Sequence, residues 1–246
     1  MPRRSQFKMK ICSVLTALIF SSVPLFAEPV TGLVNPAATV LVSSPVPMEI
    51  IKEILVDEGS IVAKDQVLVQ LRNDREKMDV RISEKAIELK QFIAKGHQRL
   101  FNEKMGSEEK AREAQTDLEL TKIQFEAKQL ALDEKTIRSP IKGIVVKKFK
   151  QTGEMATQQT PLLEIIDIDT VDVTFYIAPA LRKMVEEGKA IRVKVSDLDG
   201  AEFEGKISFV DPRNDAGSGL VRVKVKIENK DHPIKAGMKC LADFGK

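Results

Sequence analysis

The sequence predicts an α+β protein: a split β sandwich, interrupted by an antiparallel coiled-coil hairpin of α-helices, is followed by a small β barrel. Three observations lead to this fold class. Residues 73–136 are charged, amphipathic and free of proline, as two long helices require. Residues 28–72 and 137–166, on either side, carry the short alternating apolar runs of strands. Residues 167–246 continue this alternation between turn residues, which predicts the barrel.

Residues 1–27 differ from the rest of the chain. A basic start precedes an almost wholly apolar or small run at residues 11–27, and the polar chain begins at Glu28. This is the pattern of a secretory signal peptide, and it predicts that the body of the protein is exported to the periplasm. Leu25, two residues before Ala27 at the expected cut, fits the small-x-small rule poorly. Retention of the segment as a single membrane anchor therefore stays open as an alternative.

Composition restricts the classes of function. Lys and Arg total 39 against 36 for Asp and Glu, so the clustered basic face of a nucleic-acid-binding protein is not expected. After Cys12 in the leader, only Cys240 remains, and its apolar surroundings predict a buried strand position without a disulfide. His97 and His232 are isolated, so no metal site is expected. No catalytic or phosphate-binding motif occurs, which argues against an enzyme and against a cofactor.

The two β segments share a turn pattern. A leader strand at residues 30–42 precedes a strand–turn–strand unit at residues 46–71, which turns at Gly59; residues 137–166 turn at Gly153. Both turns follow the pattern apolar–x–x–x–Gly–x–apolar. Each unit is too small to bury a core alone. We therefore expect the two halves to pack together into one sandwich.

The predicted hairpin has two arms of about thirty residues, each roughly 45 Å long at the helical rise per residue. Apolar residues recur at spacings of three and four, which is typical of a coiled-coil seam. In the first arm they are Met78, Ile82, Ala86, Leu89, Ile93 and Leu100. In the second arm they are Ala111, Ala114, Leu118, Phe125 and Leu132.

The tip and a second apolar row add detail to the hairpin. Gly106 suits the end of the first helix, and Ser107 before two acidic residues suits the N-cap of the second. The second arm also carries a further row: Leu120, Ile123, Ala127 and Leu130. Because one hairpin needs only one seam, this row predicts another packing partner, such as a neighbouring copy. Stray surface residues are the alternative.

The last region, residues 167–246, reads as several short alternating strands with one helix. The helix is expected at residues 180–187, opened by Pro179 and stopped by Gly188. Strands are expected around residues 171–177, 191–195, 203–209, 221–227 and 238–244. This arrangement predicts a small β barrel.

The half-modules resemble the β fold of lipoyl and biotinyl carrier domains. Such carriers present a modified lysine on the turn that joins the halves, and here the hairpin replaces that turn, so carrier function is disfavoured. In their order, the pieces resemble the periplasmic adaptor, or membrane fusion, proteins of the HlyD-like superfamily, of the efflux-pump type. The matching sequence comprises residues 56–62, 66–68, 136–140, 143–145, 153–154 and 161–165, with Phe203-x-Gly205-x-Ile207, Asp211-Pro212, Asn229 and Ala236-Gly237-Met238 in the barrel.

The resemblance implies a non-enzymatic periplasmic adaptor subunit, associated with the inner membrane and without cofactor. Its implied partners are an inner-membrane transporter of RND or ABC type, an outer-membrane channel and further copies of itself in a ring. Many adaptors add a membrane-proximal domain beyond the barrel; this chain ends near the last barrel strand, so a minimal adaptor is expected. A periplasmic scaffold or binding protein that uses the hairpin for another partner is the alternative.

The resemblance also implies where the channel binds. Adaptors that dock end-to-end often carry an Arg, a Leu four residues later and a Ser seven residues after that. Leu100 and Ser107 have this spacing, whereas Gly96 stands where the Arg is expected and Arg99 lies nearby. The candidate partner-binding residues at the hairpin tip are therefore Arg99, Leu100, Gly106 and Ser107.

Overall fold

The computed structural model describes residues 29–245. The predicted signal peptide and Cys12 lie outside these residues. The strands are β1 (Val30–Ser43), β2 (Met48–Ile54), β3 (Ile61–Val62), β4 (Val67–Leu71), β5 (Thr136–Arg138), β6 (Gly143–Lys148), β7 (Met155–Thr157), β8 (Pro161–Ile177), β9 (Ala190–Val195), β10 (Ala201–Asn214), β11 (Val221–Glu228) and β12 (Lys239–Ala242). The long helices are α1 (Asp74–Asn102) and α2 (Glu108–Asp133). Within the described range, neither helix is long and apolar enough to cross a bilayer.

Six strands close into an antiparallel barrel in the order β1–β12–β9–β10–β11–β8, with β8 pairing back to β1. Alternate side chains of each strand point inward, so Val171, Val173 and Phe175 of β8 are fully buried. Phe175 meets Phe244 edge to face at 5.2 Å between ring centroids. The predicted β barrel is confirmed.

The two β half-modules pack together, as predicted. Strands β5, β4, β2 and β7 form a second sheet in which β4 of the first half pairs with β5 of the second, and β2 pairs with β7. Strand β3 pairs with β6 across the same two halves. Ile51 and Leu68 from the first half share a core with Ile137, Val145 and Leu162 from the second. The split β sandwich is therefore confirmed.

Strands β1 and β8 belong to both β units. In β1, Val30 pairs with Ala242 of the barrel, whereas Val42 pairs with Leu163 in the sandwich. The predicted boundary between residues 166 and 167 lies inside β8, which continues through 17 residues. This is because apolar alternation runs through that segment without an internal glycine, proline or asparagine.

The hairpin corrects one prediction. In the predicted seam of α2, Ala111, Ala114 and Leu118 are buried, whereas Phe125 and Leu132 are half-buried. On α1, however, the buried residues are Val80 and Ala94, with Ile87 packed beside Ala94. The row predicted to form the α1 seam was wrong: Met78, Ile82 and Leu89 are 53, 63 and 59% exposed, and Ile93 and Leu100 are 37% exposed. Close approach of the two helices at alanines leaves these larger side chains outside.

Two smaller predictions have clear outcomes. The short helix predicted at residues 180–187 is found as a 3-10 helix at Pro179–Met184, so it ends earlier than expected. Cys240 lies fully buried in β12, as predicted. Burial raises the pKa of its thiol to about 11, and Asp197 contributes in the same direction.

Candidate functional site

The tip begins where α1 stops in a Schellman motif. The Met105 N–H donates to the Leu100 carbonyl at 2.8 Å, and the Lys104 N–H donates to the Phe101 carbonyl at 2.9 Å. Lys104 takes the left-handed conformation with φ 59° that this motif requires at its C′ position. The helix-ending role predicted for Gly106 therefore belongs to Lys104.

Gly106 has a different function in the tip. A Cβ atom at this position would stand 3.0 Å from the Cβ of Leu100 and 3.3 Å from the Leu100 carbonyl carbon. The backbone of Gly106 therefore lies directly against Leu100, and a larger residue would push the two apart. Ser107 holds the predicted N-cap position with extended φ −86° and ψ 138°, but its hydroxyl makes no capping hydrogen bond.

The tip surface combines apolar and charged groups. Leu100 and Phe101 are each 37% exposed, and Met105 is 70% exposed. The Arg99 guanidinium lies 3.6 Å from the Glu103 carboxylate, and its side chain is 78% exposed. The four predicted residues Arg99, Leu100, Gly106 and Ser107 thus lie in one segment around the tip. Phe101 and Met105 were missed; the signal for them is the presence of large apolar residues beside a turn.

Each helix also carries an exposed apolar row along its length. We call Met78, Ile82, Leu89 and Phe92 the α1 stripe, and Leu120, Ile123, Ala127 and Leu130 the α2 stripe; their large side chains are at least 53% exposed. At about 100° per residue, each stripe lies opposite the buried seam of its own helix. The hairpin therefore has two apolar outer faces on opposite sides. The α2 stripe was predicted from the sequence, and the α1 stripe was mistaken for the seam.

Ion pairs between the two helices show how the helices are aligned along their length. The Lys90 ammonium lies 2.8 Å from the Asp117 carboxylate, and the Lys128 ammonium lies 3.7 Å from Asp79. Because the helices are antiparallel, a residue of α1 lies at the same height, that is, the same distance from the tip, as the residue of α2 whose number adds to its own to give about 207. Leu89 of the α1 stripe and Leu120 of the α2 stripe consequently lie at nearly the same height.

The two histidines are far apart. The His232 Nε2 lies 2.8 Å from the Asp169 carboxylate, which also accepts from the Lys142 ammonium at 2.7 Å. Hydrogen bonds first from Lys142 and then from His232 hold the pKa of Asp169 below its usual value. His97 lies on α1. Among residues 29–245, no group of His, Cys, Asp and Glu side chains could hold a metal ion.

A split β sandwich that carries a long helical hairpin and continues into a β barrel is the architecture of a membrane fusion protein. Residues 47–166 match the model of the YknX barrel-sandwich hybrid domain, and residues 170–246 match the model of the CusB-like β-barrel domain. The chain belongs to the HlyD-like family of periplasmic adaptor, or membrane fusion, proteins. The resemblance inferred from the sequence is thereby confirmed.

Solved structures agree with this fold. A MacA–MexA chimera containing the Pseudomonas aeruginosa MexA α-hairpin domain superposes with a TM-score of 0.76 at 20% identity, covering 87% of this chain and 78% of that one. The membrane fusion protein Spr0693 from Streptococcus pneumoniae R6 gives 0.68 at 16% identity, covering 87% and 96%. MacA from Actinobacillus actinomycetemcomitans gives 0.54 at 19% identity, covering 87% and 77%.

Two curated relatives are longer than this chain. The nodulation protein NolF of Rhizobium meliloti (strain 1021) is 21% identical over 114 residues, 46% of this chain and 31% of that protein. An uncharacterized protein of Haemophilus influenzae is 21% identical over 209 residues, 85% of this chain and 54% of that protein. The matches therefore span only about a third and about half of these relatives' lengths.

Proposed function

We propose that this protein is a non-enzymatic subunit of a tripartite export system, located in the periplasm at the inner membrane. It links an inner-membrane transporter of RND or ABC type to an outer-membrane channel. The observation that carries this proposal is the exposed apolar tip, with Phe101 37% and Met105 70% exposed, at the end of a rigid helical arm. Membership in the periplasmic adaptor family supports the same role.

The chemistry of the tip suits an end-on contact with a protein. Leu100, Phe101 and Met105 offer apolar area, which stabilises an interface when it is covered. Gly106 allows the backbone to lie against Leu100, and Arg99 and Ser107 add polar groups at the edge. Such a contact is small for one copy. Binding through several tips held together would raise the effective concentration, so the affinity of the whole assembly would exceed that of one tip.

The two stripes support a ring of identical copies. They lie on opposite sides of the hairpin, so the α1 stripe of one copy faces the α2 stripe of the next. A contact between two different surfaces is heterologous, and repeated heterologous contacts form a ring when the rotation from copy to copy closes. Leu89 and Leu120, which lie at nearly the same height, would meet in every such contact. The ring would then present all the tips at one end.

Site-specific photo-crosslinking in the native host tests this function. A photoreactive phenylalanine analogue replaces Met105 at the tip, and the matched control replaces Lys64, an exposed residue in the sandwich turn. We expect the tip probe to capture an outer-membrane channel protein and the Lys64 probe not to do so. Adding Leu100→Glu and Ser107→Glu should remove the captured band while the circular dichroism spectrum stays unchanged.

The same experiment separates the proposal from its alternative. Capture of a soluble periplasmic protein in place of a channel would favour the scaffold or binding function. Capture of the channel that survives Leu100→Glu and Ser107→Glu would contradict docking through these tip residues.

A further inference from the structure

The hairpin and the sandwich are joined without a shared apolar core. The sandwich core includes Ile51, Leu68 and Ile137, whereas the hairpin core consists of Ala94, Ala114 and Leu118, with Ile87 beside them. Within residues 29–245, neither cluster includes a residue of the other unit. The chain crosses between them through two short connections, Arg72 with Asn73 and Glu134 with Lys135. Polar contacts must therefore set the angle between the two units.

One buried lysine lies at the centre of these contacts. Lys135 is 8% exposed overall, and its Nζ lies 2.8 Å from Glu49 Oε2 and 3.1 Å from Glu76 Oε1. Glu49 lies on β2 of the sandwich, and Glu76 lies in the first turn of α1. Lys135 itself follows the end of α2. A single ammonium group thus connects the sandwich with both helices of the hairpin.

The backbone of the same residue fixes its position. Its carbonyl accepts a hydrogen bond from the Leu71 N–H at 2.8 Å and another from the Gln70 side-chain amide at 2.9 Å. Both donors lie in β4 at the start of the other connection. The ammonium of Lys135 therefore binds the sandwich and α1, and its carbonyl binds the end of β4. Rotation of the hairpin relative to the sandwich would break several of these bonds at once.

The protonation states keep this cluster charged. The hydrogen bond from Lys135 is the largest cause that lowers the pKa of Glu49. Burial alone would lower the pKa of Lys135, but the hydrogen bonds to Glu49 and Glu76 outweigh burial, so its pKa is raised. Both groups are therefore ionised at neutral pH, and the bonds between them are charge-assisted.

The length of the helices makes the angle at this junction important. Helix α1 has 29 residues and is therefore about 43 Å long. A rotation of about 10° at its base would move the tip by about 7.5 Å. A shift of this size exceeds the tolerance of a specific protein contact.

We propose that Lys135 is a positioning residue that sets the direction in which the hairpin leaves the sandwich. Its bonds to Glu49 and Glu76 are directional, whereas an apolar contact would allow the helices to slide. The consequence for channel docking rests on the proposed adaptor function. The direction of the hairpin itself does not, and it is measured without any partner.

Electron–electron distance measurements test this proposal. Spin labels are attached to Lys64→Cys on the sandwich and Lys110→Cys near the tip, in the full chain with Cys12→Ser and Cys240→Ala in every sample. We expect Lys135→Met to widen the distance distribution at least about twofold, because the directional bonds are lost. Lys135→Arg keeps the charge and should keep the distribution narrow. Lys90→Met, which breaks the exposed Lys90–Asp117 pair between the helices, is the matched control and should leave the width unchanged.

A neutral variant separates direction from unpaired charge. Lys135→Met removes the ion pair of Glu76 and leaves Glu49 with only the Arg72 guanidinium at 3.5 Å, which destabilises a buried site. Lys135→Met with Glu49→Gln and Glu76→Gln has no such unpaired charge, and we expect it to fold as well as the parent but to retain the wide distribution. A parent-like width in this folded triple variant would overturn the proposal, as would equal widening in Lys90→Met. Neither result would bear on whether the tip binds a channel.

Discussion

The barrel and the hairpin bury their apolar side chains to very different extents. The barrel core draws residues from all six of its strands, and Phe175 within it is fully buried. The hairpin's buried cluster consists of Ala94, Ala114 and Leu118 with Ile87 packed beside them, and Val80 and Ala111 are buried outside this cluster. Most large apolar side chains of the hairpin lie in its two stripes and at its tip, where they are exposed. The barrel therefore supplies its own stability, whereas the hairpin has apolar surface that only other molecules can cover.

Truncation of a core side chain in each region gives the largest expected effect. Phe175→Ala should lower the free energy of unfolding by about 3–5 kcal/mol, because the closed barrel cannot collapse around the cavity. Leu118→Ala should cost only about 2 kcal/mol, because this side chain lies in a small core near the surface. Urea denaturation followed by circular dichroism measures both values. Equal losses would mean that the hairpin is as well packed as the barrel, which would contradict the difference in packing described above.

Replacing a glycine by alanine should change the free energy of unfolding in opposite directions in the sandwich and in the hairpin. At Gly143 in β6, a Cβ atom would stand 2.9 Å from the Ile166 carbonyl carbon and still closer to its oxygen. Gly143→Ala should therefore destabilise by about 1–3 kcal/mol. At Gly96 in α1, a Cβ atom would meet nothing within 4 Å, so Gly96→Ala should stabilise by about 0.5–1 kcal/mol through helix propensity.

The thermal midpoints of the two glycine variants measure this difference. Gly143→Ala should lower the midpoint and Gly96→Ala should raise it, each relative to the parent chain. Destabilisation by Gly96→Ala would show that this face of α1 is covered by another molecule in solution. That result would sharpen the comparison, because it would locate a contact near the α1 stripe.

Local patterns explain why most of the fold could be predicted from the sequence. A strand that is buried on one face must alternate, and this pattern is visible in residues 171–177 without knowledge of their partners. The interruption of the apolar spacing at residues 105–107 likewise shows where the first helix ends and the second begins. The order of strands, hairpin and strands then led to the split sandwich, because each half alone buries too little.

The parts that could not be predicted depend on contacts between distant residues. Helix α1 carries two rows at helical spacing, and only the position of α2 decides that Val80 and Ala94 face inward while Leu89 faces outward. Lys104 ends α1 in a conformation that glycine usually supplies. Lys135 meets Glu49 across 86 positions of sequence. None of these arrangements leaves a local periodic signal.

Charged substitutions in the stripes should have the smallest effect on the stability of the chain and a large effect on its assembly. Leu89 is 59% exposed and Leu120 is 53% exposed, so Leu89→Glu or Leu120→Lys should change the free energy of unfolding by less than about 0.5 kcal/mol. Either change alone should place a charge against a leucine of the neighbouring copy and shift the protein from oligomer to monomer. Sedimentation velocity measures the distribution of species.

The double variant tests how the copies are arranged. If the α1 stripe of one copy meets the α2 stripe of the next, Leu89→Glu combined with Leu120→Lys pairs opposite charges in every contact, and the oligomer should return. If like stripes met instead, each contact would bring two identical charges together, and the double variant would stay monomeric. Gln98→Lys and Gln115→Lys, at exposed positions away from both stripes, should leave assembly unchanged. Oligomers that persist in both single variants would contradict packing of the two stripes between copies. The exposed apolar rows of the hairpin would then need a partner other than a neighbouring copy.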